Sequence, residues 1–83
     1  MKKLTTAEAV RFLLDGGYIA EIHQCNCKTI KYKVHQKHSL FTGIADYITP
    51  KQFDEMAAAC LVEFVGSKTD KYGNIYNFHE LHR

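Results

Sequence analysis

Two groups of residues in the 83-residue chain have the types and spacing to do chemistry. The first is His23-x-Cys25-x-Cys27 followed by His35-x-x-His38, which sets thiol and imidazole ligands around one end of a hairpin. Zinc takes such ligands tetrahedrally, and alternation along an extended chain sends Cys25 and Cys27 to the same face. Structural zinc sites favour roughly two to four residues between paired ligands, and a single spacer fits poorly. A turn holding two small residues, with solvent-facing histidines beyond it, gives the same pattern. Cys25, Cys27, His35 and His38 are therefore the metal alternative, and the main expectation carries no cofactor.

The second group is the basic run Lys28, Lys31, Lys33, His35, Lys37 and His38, with four lysines and no acid between them. Period-two spacing puts Lys31, Lys33 and His35 on one face of a strand and turns Tyr32 away into a core, so Tyr32 is no base-stacking platform. Such a face can simply be solvated, its lysines guarding a sheet against edge association. If it binds, an acidic protein groove or a nucleic-acid backbone is the natural target, and Lys28, Lys31, Lys33, His35 and Lys37 are the partner-binding candidates. Residues Ile44 to Glu63 have the opposite sign, with Asp46, Asp54, Glu55 and Glu63 against Lys51, which makes the chain dipolar.

Catalysis finds no support. There is no serine in a nucleophile elbow, no glycine-rich phosphate loop and no informative carboxylate pair, since Asp54-Glu55 reads as helix surface. Cys60 falls on an apolar stripe and is expected to be an inert core thiol. The end Phe78-His79-Glu80-Leu81-His82-Arg83 reads as a frayed polar tail.

The elements that must position these residues are clearest at Ile48 to Leu61. Thr49 offers an N-cap, Pro50 the first helical position and Gln52 the partner of a capping box, with Ile48 and Phe53 placed as a hydrophobic staple. Phe53, Met56, Ala57, Cys60 and Leu61 then recur at helical spacing as one apolar stripe. Thr5 and Glu8 repeat this grammar for a helix from about Thr6 to Asp15, ended by Gly16. Tyr18 to His23 reads as a strand with imperfect alternation, and Thr29 to His35 as a strand with Ile30, Tyr32 and Val34 inward. Leu40 to Thr42 offers a short third strand, Val62 to Val65 a strand closed by Gly66, Ser67 to Gly73 a loop, and Asn74 to His79 the hairpin partner.

The expected fold is α+β in the order α-β-β-(β)-α-β-β, with two helices packed on one face of a four- or five-stranded antiparallel sheet. Residues 1–83 form one compact domain. Both halves open with a threonine-capped helix about 44 residues apart, a weak α-β-β pseudo-repeat. A net charge of +2 is far from the basic balance of non-specific nucleic-acid binders, and 46% apolar residues suit an ordered domain. The chain has no apolar run of about 18 residues and no apolar segment after Met1-Lys2-Lys3, so neither a membrane span nor a signal peptide is expected. Three cysteines, an odd number, do not form a disulfide framework, and the expected compartment is the cytoplasm.

The helix followed by Val62 to Val65, a lysine-bearing loop and a returning strand resembles the recognition helix and wing of a winged-helix domain, with Lys68 and Lys71 at the tip. Asp54 and Glu55 on the exposed side of that helix oppose a DNA backbone, and residues 18–35 read as strands where a further helix is needed. The Lys-Lys start, the helix Thr6 to Leu14 ending in Asp15-Gly16-Gly17, and the tail Lys71-Tyr72-Gly73-Asn74-Ile75-Tyr76 resemble, in size and layout, the small proteins encoded by bacteriophages and mobile elements, anti-CRISPR proteins among them. That resemblance implies a non-enzymatic inhibitor in a bacterial host cell, occluding a surface of a host protein or nucleoprotein complex such as a CRISPR effector. A winged-helix-like or sequence-tolerant nucleic-acid binder is the alternative, and a small zinc module the third.

Overall fold

The computed structural model describes residues 2–36 and 46–83. Its elements are α1 (Thr6–Leu14), β1 (Tyr18–His23), β2 (Ile30–His35), β3 (Asp46–Ile48), α2 (Pro50–Ala58), β4 (Val62–Thr69) and β5 (Ile75–Leu81). Both helices start on the capping boxes their sequences encode. The Thr5 hydroxyl accepts from the Glu8 N–H while Glu8 accepts from the Thr5 N–H, and Thr49 and Gln52 do the same for α2. The side-chain amide of Gln52 also donates to the Leu4 carbonyl at 2.9 Å, tying the second helix to the start of the chain.

The helices also end alike. In α1 the N–H groups of Gly16 and Gly17 return to the carbonyls of Leu13 and Phe12; in α2 those of Cys60 and Leu61 return to Ala57 and Met56. This paired bonding satisfies carbonyls that a helix end leaves free and needs a left-handed residue after the cap. Gly17 allows a close approach, since a Cβ there would run into the carbonyl oxygens of His35 and Phe12.

The strands form one antiparallel sheet in the order β3-β2-β1-β5-β4. Both helices pack on one face of it. That face carries Ile19, Glu21 and His23 of β1 opposite Val34, Tyr32 and Ile30 of β2, and opposite His79, Asn77 and Ile75 of β5. Its core gathers Leu4, Ala9, Leu13, Ile19, Tyr32, Val34, Ile48, Phe53 and Met56. At the β3 edge the chain's own start pairs in parallel, with Lys3 bridging Tyr47.

Several expectations need correcting. The helix α2 stops at Ala58, so only Phe53 and Met56 of the stripe are buried; Ala57 and Cys60 are exposed, and Cys60 is not a core thiol. Gly66 does not close β4: a bulge between Phe64 and Gly66 absorbs one residue and the strand continues to Thr69. The tail is not frayed through Leu81, which lies in β5 against the core, and the His82 N–H donates to the Leu61 carbonyl. Asp46–Ile48 forms a short strand that was not expected, and the strand expected at Leu40 to Thr42 lies outside the described residues. The described residues hold two helices, and residues 18–35 are two strands of the sheet, so the further helix of a winged-helix domain has no place there.

Candidate functional site

Among the described residues no helix lies on the second face of the sheet. Register places Tyr18, Ala20 and Ile22 of β1 there, opposite His35, Lys33 and Lys31 of β2 on one side and, for Ala20 and Ile22, Phe78 and Tyr76 of β5 on the other. Tyr18 stacks on His35 with ring centres 4.8 Å apart and meets Phe78 edge-on at 5.7 Å. Lys68 of β4 stands opposite Tyr76, and Gly66 stands opposite Phe78 with nothing within 4 Å of where a Cβ would lie. A cavity of about 310 Å³ opens beside the rings, lined by Tyr18, Val65, Phe78 and Glu80. The result is an aromatic patch flanked by Lys31, Lys33 and Lys68, with Glu63 and Glu80 paired at its other end. Aromatic rings inside a charged rim are the composition of protein contact surfaces.

Of the predicted contact residues, Lys31 is exposed on this face, Lys33 and His35 are half-buried in it, and Lys28 lies exposed in the β1–β2 turn. Lys37 and His38 lie outside the described residues. His35 is less open than a solvent-facing residue: its Nδ1 is buried and has no hydrogen-bond partner among the described residues. Burial, reinforced by the neighbouring Lys33 charge, holds its pKa below the usual imidazole value. Tyr18, Tyr76 and Phe78 were not among the expected contact residues. The signal for Tyr18 was the imperfect alternation of β1, whose Ile19, Ala20 and Ile22 are buried on both faces of the sheet, while Tyr76 and Phe78 reach this face through the β1–β5 pairing.

A metal centre from Cys25, Cys27 and His35 does not assemble. The cysteines sit in the turn beyond His23, whereas His35 ends β2 opposite Tyr18. A six-residue strand at about 3.3 Å per residue separates them, far beyond the reach of one ion. Among the described residues no group of three or more His, Cys, Asp or Glu is arranged to hold a metal. Cys25 instead joins the two hairpins: its N–H donates to Asn74 Oδ1 at 3.2 Å and its thiol to the Tyr72 carbonyl at 3.3 Å. Asp70 organises that second hairpin by accepting from the Tyr72 and Asn74 N–H groups, the Asn74 side chain and the Tyr76 hydroxyl. Desolvation opposes the charge on Asp70, yet these bonds outweigh it and hold the carboxyl below its usual range.

On the helix-covered face a second cluster appears that separate segments of the sequence concealed. Glu21 lies between His23 and His79, with Nε2 atoms 2.7 and 2.8 Å from its two oxygens. Each imidazole nitrogen bonded to the carboxylate donates its N–H. Phe53 stacks on Tyr32 at 4.4 Å and meets His79 edge-on at 4.8 Å, while Phe64 also meets His79 edge-on at 5.9 Å. Burial first, and then the charges of Glu21 and Asp54, raise the Tyr32 pKa. The cluster locks α2 onto three strands. A further cavity of about 340 Å³ lies where β2 runs past the end of β3, lined chiefly by Ile30, Tyr32, Ile48 and Pro50 with Lys31 and Lys33.

No family model, curated protein or solved structure matches this chain. Fold and surface define it as a small α+β protein with a two-helix layer on one side of its sheet and an aromatic and lysine-bearing face on the other. No helix among the described residues is long and apolar enough to cross a membrane.

Proposed function

We propose that the protein is a non-enzymatic binding protein that docks the helix-free face of its sheet on an acidic protein surface and so blocks it. The observation that supports this is the aromatic patch of Tyr18, Tyr76 and Phe78 with Lys31, Lys33 and Lys68 beside it. Rings anchor such a contact by filling apolar hollows, and the lysines steer and orient it. Glu63 and Glu80 on the same face favour a partner of mixed charge over a uniform polyanion. A host defence or nucleic-acid-handling complex is the proposed target, in the manner of an anti-CRISPR protein, through one of its acidic surfaces. The basic channel of such a complex would repel the lysines.

Single-stranded nucleic acid is the second candidate, favoured by rings and lysines sharing one open face. The test is a photo-crosslinking residue placed at Lys33 and, as a control on the opposite side, at Asp54, in cells of a bacterial host. Protein adducts from position 33 alone, lost in a Lys31→Glu/Lys68→Glu background, support docking by this face. Adducts from position 54 alone remove the face from the account. Nucleic-acid adducts at position 33, with an affinity that falls steeply with salt, favour the second candidate.

A further inference from the structure

The two edges of the sheet are finished differently. β3 is three residues long and is covered by the chain's own start through the Lys3–Tyr47 bridge. β4 is eight residues long, stands last in the sheet, and pairs only through β5 among the described residues. It also carries two of the large apolar side chains left in solvent, Phe64 at 61% and Val65 at 47% exposure. A long edge with exposed apolar side chains is a template for another strand, which proteins normally blunt.

The sequence of this strand, Val62-Glu63-Phe64-Val65-Gly66-Ser67-Lys68-Thr69, is complementary to itself when reversed. Turned about a point between Val65 and Gly66, Glu63 faces Lys68, Phe64 faces Ser67 and Val62 faces Thr69. Strict alternation would put Glu63 and Lys68, five positions apart, on opposite sides of the sheet. The bulge between Phe64 and Gly66 cancels that offset. Glu63 and Lys68 consequently share the helix-free face, opposite Glu80 and Tyr76, while Val62, Phe64, Ser67 and Thr69 share the helix face. Among the described residues Lys68 has no carboxylate partner, and Glu63 has only the exposed His82 at 3.3 Å.

We propose that β4 pairs antiparallel with β4 of a second copy of this chain, about a two-fold axis between Val65 and Gly66, so that one sheet runs through both copies. The occupant is a second copy because the face pattern and both charges match only in this self-reversed register. Each two-fold interface then holds two Glu63–Lys68 cross-strand pairs, and the apolar side chains of Phe64 and Val65 lose water contact. An axis normal to the sheet puts both helix-free faces on the same side. The pairing does not depend on what those faces bind. A single-strand edge offers a small interface, so dissociation in the micromolar range is expected.

Sedimentation equilibrium of the full chain across the micromolar range, at low salt, tests the pairing. The expected result is a reversible dimer, weakened about tenfold or more by either Glu63→Lys or Lys68→Glu, and restored in the double variant that carries both. Circular dichroism of each variant checks that the exposed substitutions leave the fold intact, and Phe64→Lys, which removes the apolar contribution without touching the charge pair, should also dissociate the dimer. A chain that stays monomeric throughout, or a dimer indifferent to both single reversals, or a double variant that fails to recover, overturns the proposal.

Discussion

Cys60 holds at the end of α2 the place that Gly16 holds at the end of α1. Each follows the C-cap, each donates its N–H to the carbonyl three residues back, and each has a positive φ, 58° for Cys60 and 92° for Gly16. A left-handed backbone costs an L-residue roughly 1–2 kcal/mol through the approach of Cβ to the following carbonyl, and glycine escapes that clash. The second helix therefore carries strain that the first does not.

Cys60→Gly should stabilise the domain by about 1 kcal/mol after glycine's larger unfolded-state entropy is subtracted, a rise of roughly 4–8 °C in Tm for a domain of this size. Cys60→Ala keeps the strained conformation and should leave Tm near the starting value. Thermal unfolding of the three proteins under reducing conditions decides the matter, and equal Tm for Gly and Ala variants would show that φ at this position carries no cost.

Phe53 is the side chain through which α2 grips the sheet, stacked on Tyr32 and edge-on to His79. It is 8% exposed. Phe53→Ala should cost about 3–5 kcal/mol, a large share of the stability available to so small a domain, whereas Phe53→Leu keeps most of the volume and should cost less. Met56→Ala, one turn on and 1% exposed, should cost about 2–5 kcal/mol. Urea denaturation followed by far-ultraviolet circular dichroism measures both, and a loss below about 1 kcal/mol for Phe53→Ala would mean that α2 is held elsewhere.

What the sequence made legible was local. Thr5 with Glu8 and Thr49 with Gln52 each lie within one helical turn, so their capping boxes could be read directly, as could the inward Tyr32 and Val34 of β2. Cys60 escaped because helical spacing carries a stripe through a position where the backbone has already left the helix. Gly66 read as a stop because a bulge depends on the pairing of β5, which the strand's own residues do not encode. The role of His79 at the end of its expected strand escaped because its partner Glu21 lies 58 residues away and only the β1–β5 register brings them together. On the helix-free face Lys31 and Lys33 were visible from alternation alone. The rings beside them come from β1 and β5, and their placement waits on strand order.

His35 supplies a pH dependence whose sign can be worked out. Its Nδ1 is buried without a partner among the described residues, and burial, aided by Lys33, holds its pKa below the ordinary imidazole value of 6.5. Below pH 6.5 the unfolded chain takes up a proton at this imidazole more readily than the folded chain does, so its contribution to stability is complete above 6.5 and is lost as pH falls through the depressed folded value. His35→Phe preserves a ring to stack on Tyr18 but cannot titrate. The difference in unfolding free energy between wild type and His35→Phe, measured from neutral pH downward, should therefore move against the wild type once pH drops below 6.5. Other titrating groups are common to both proteins and cancel in that difference. A difference that stays constant over the same range would show that the folded imidazole accepts its proton as freely as the unfolded one.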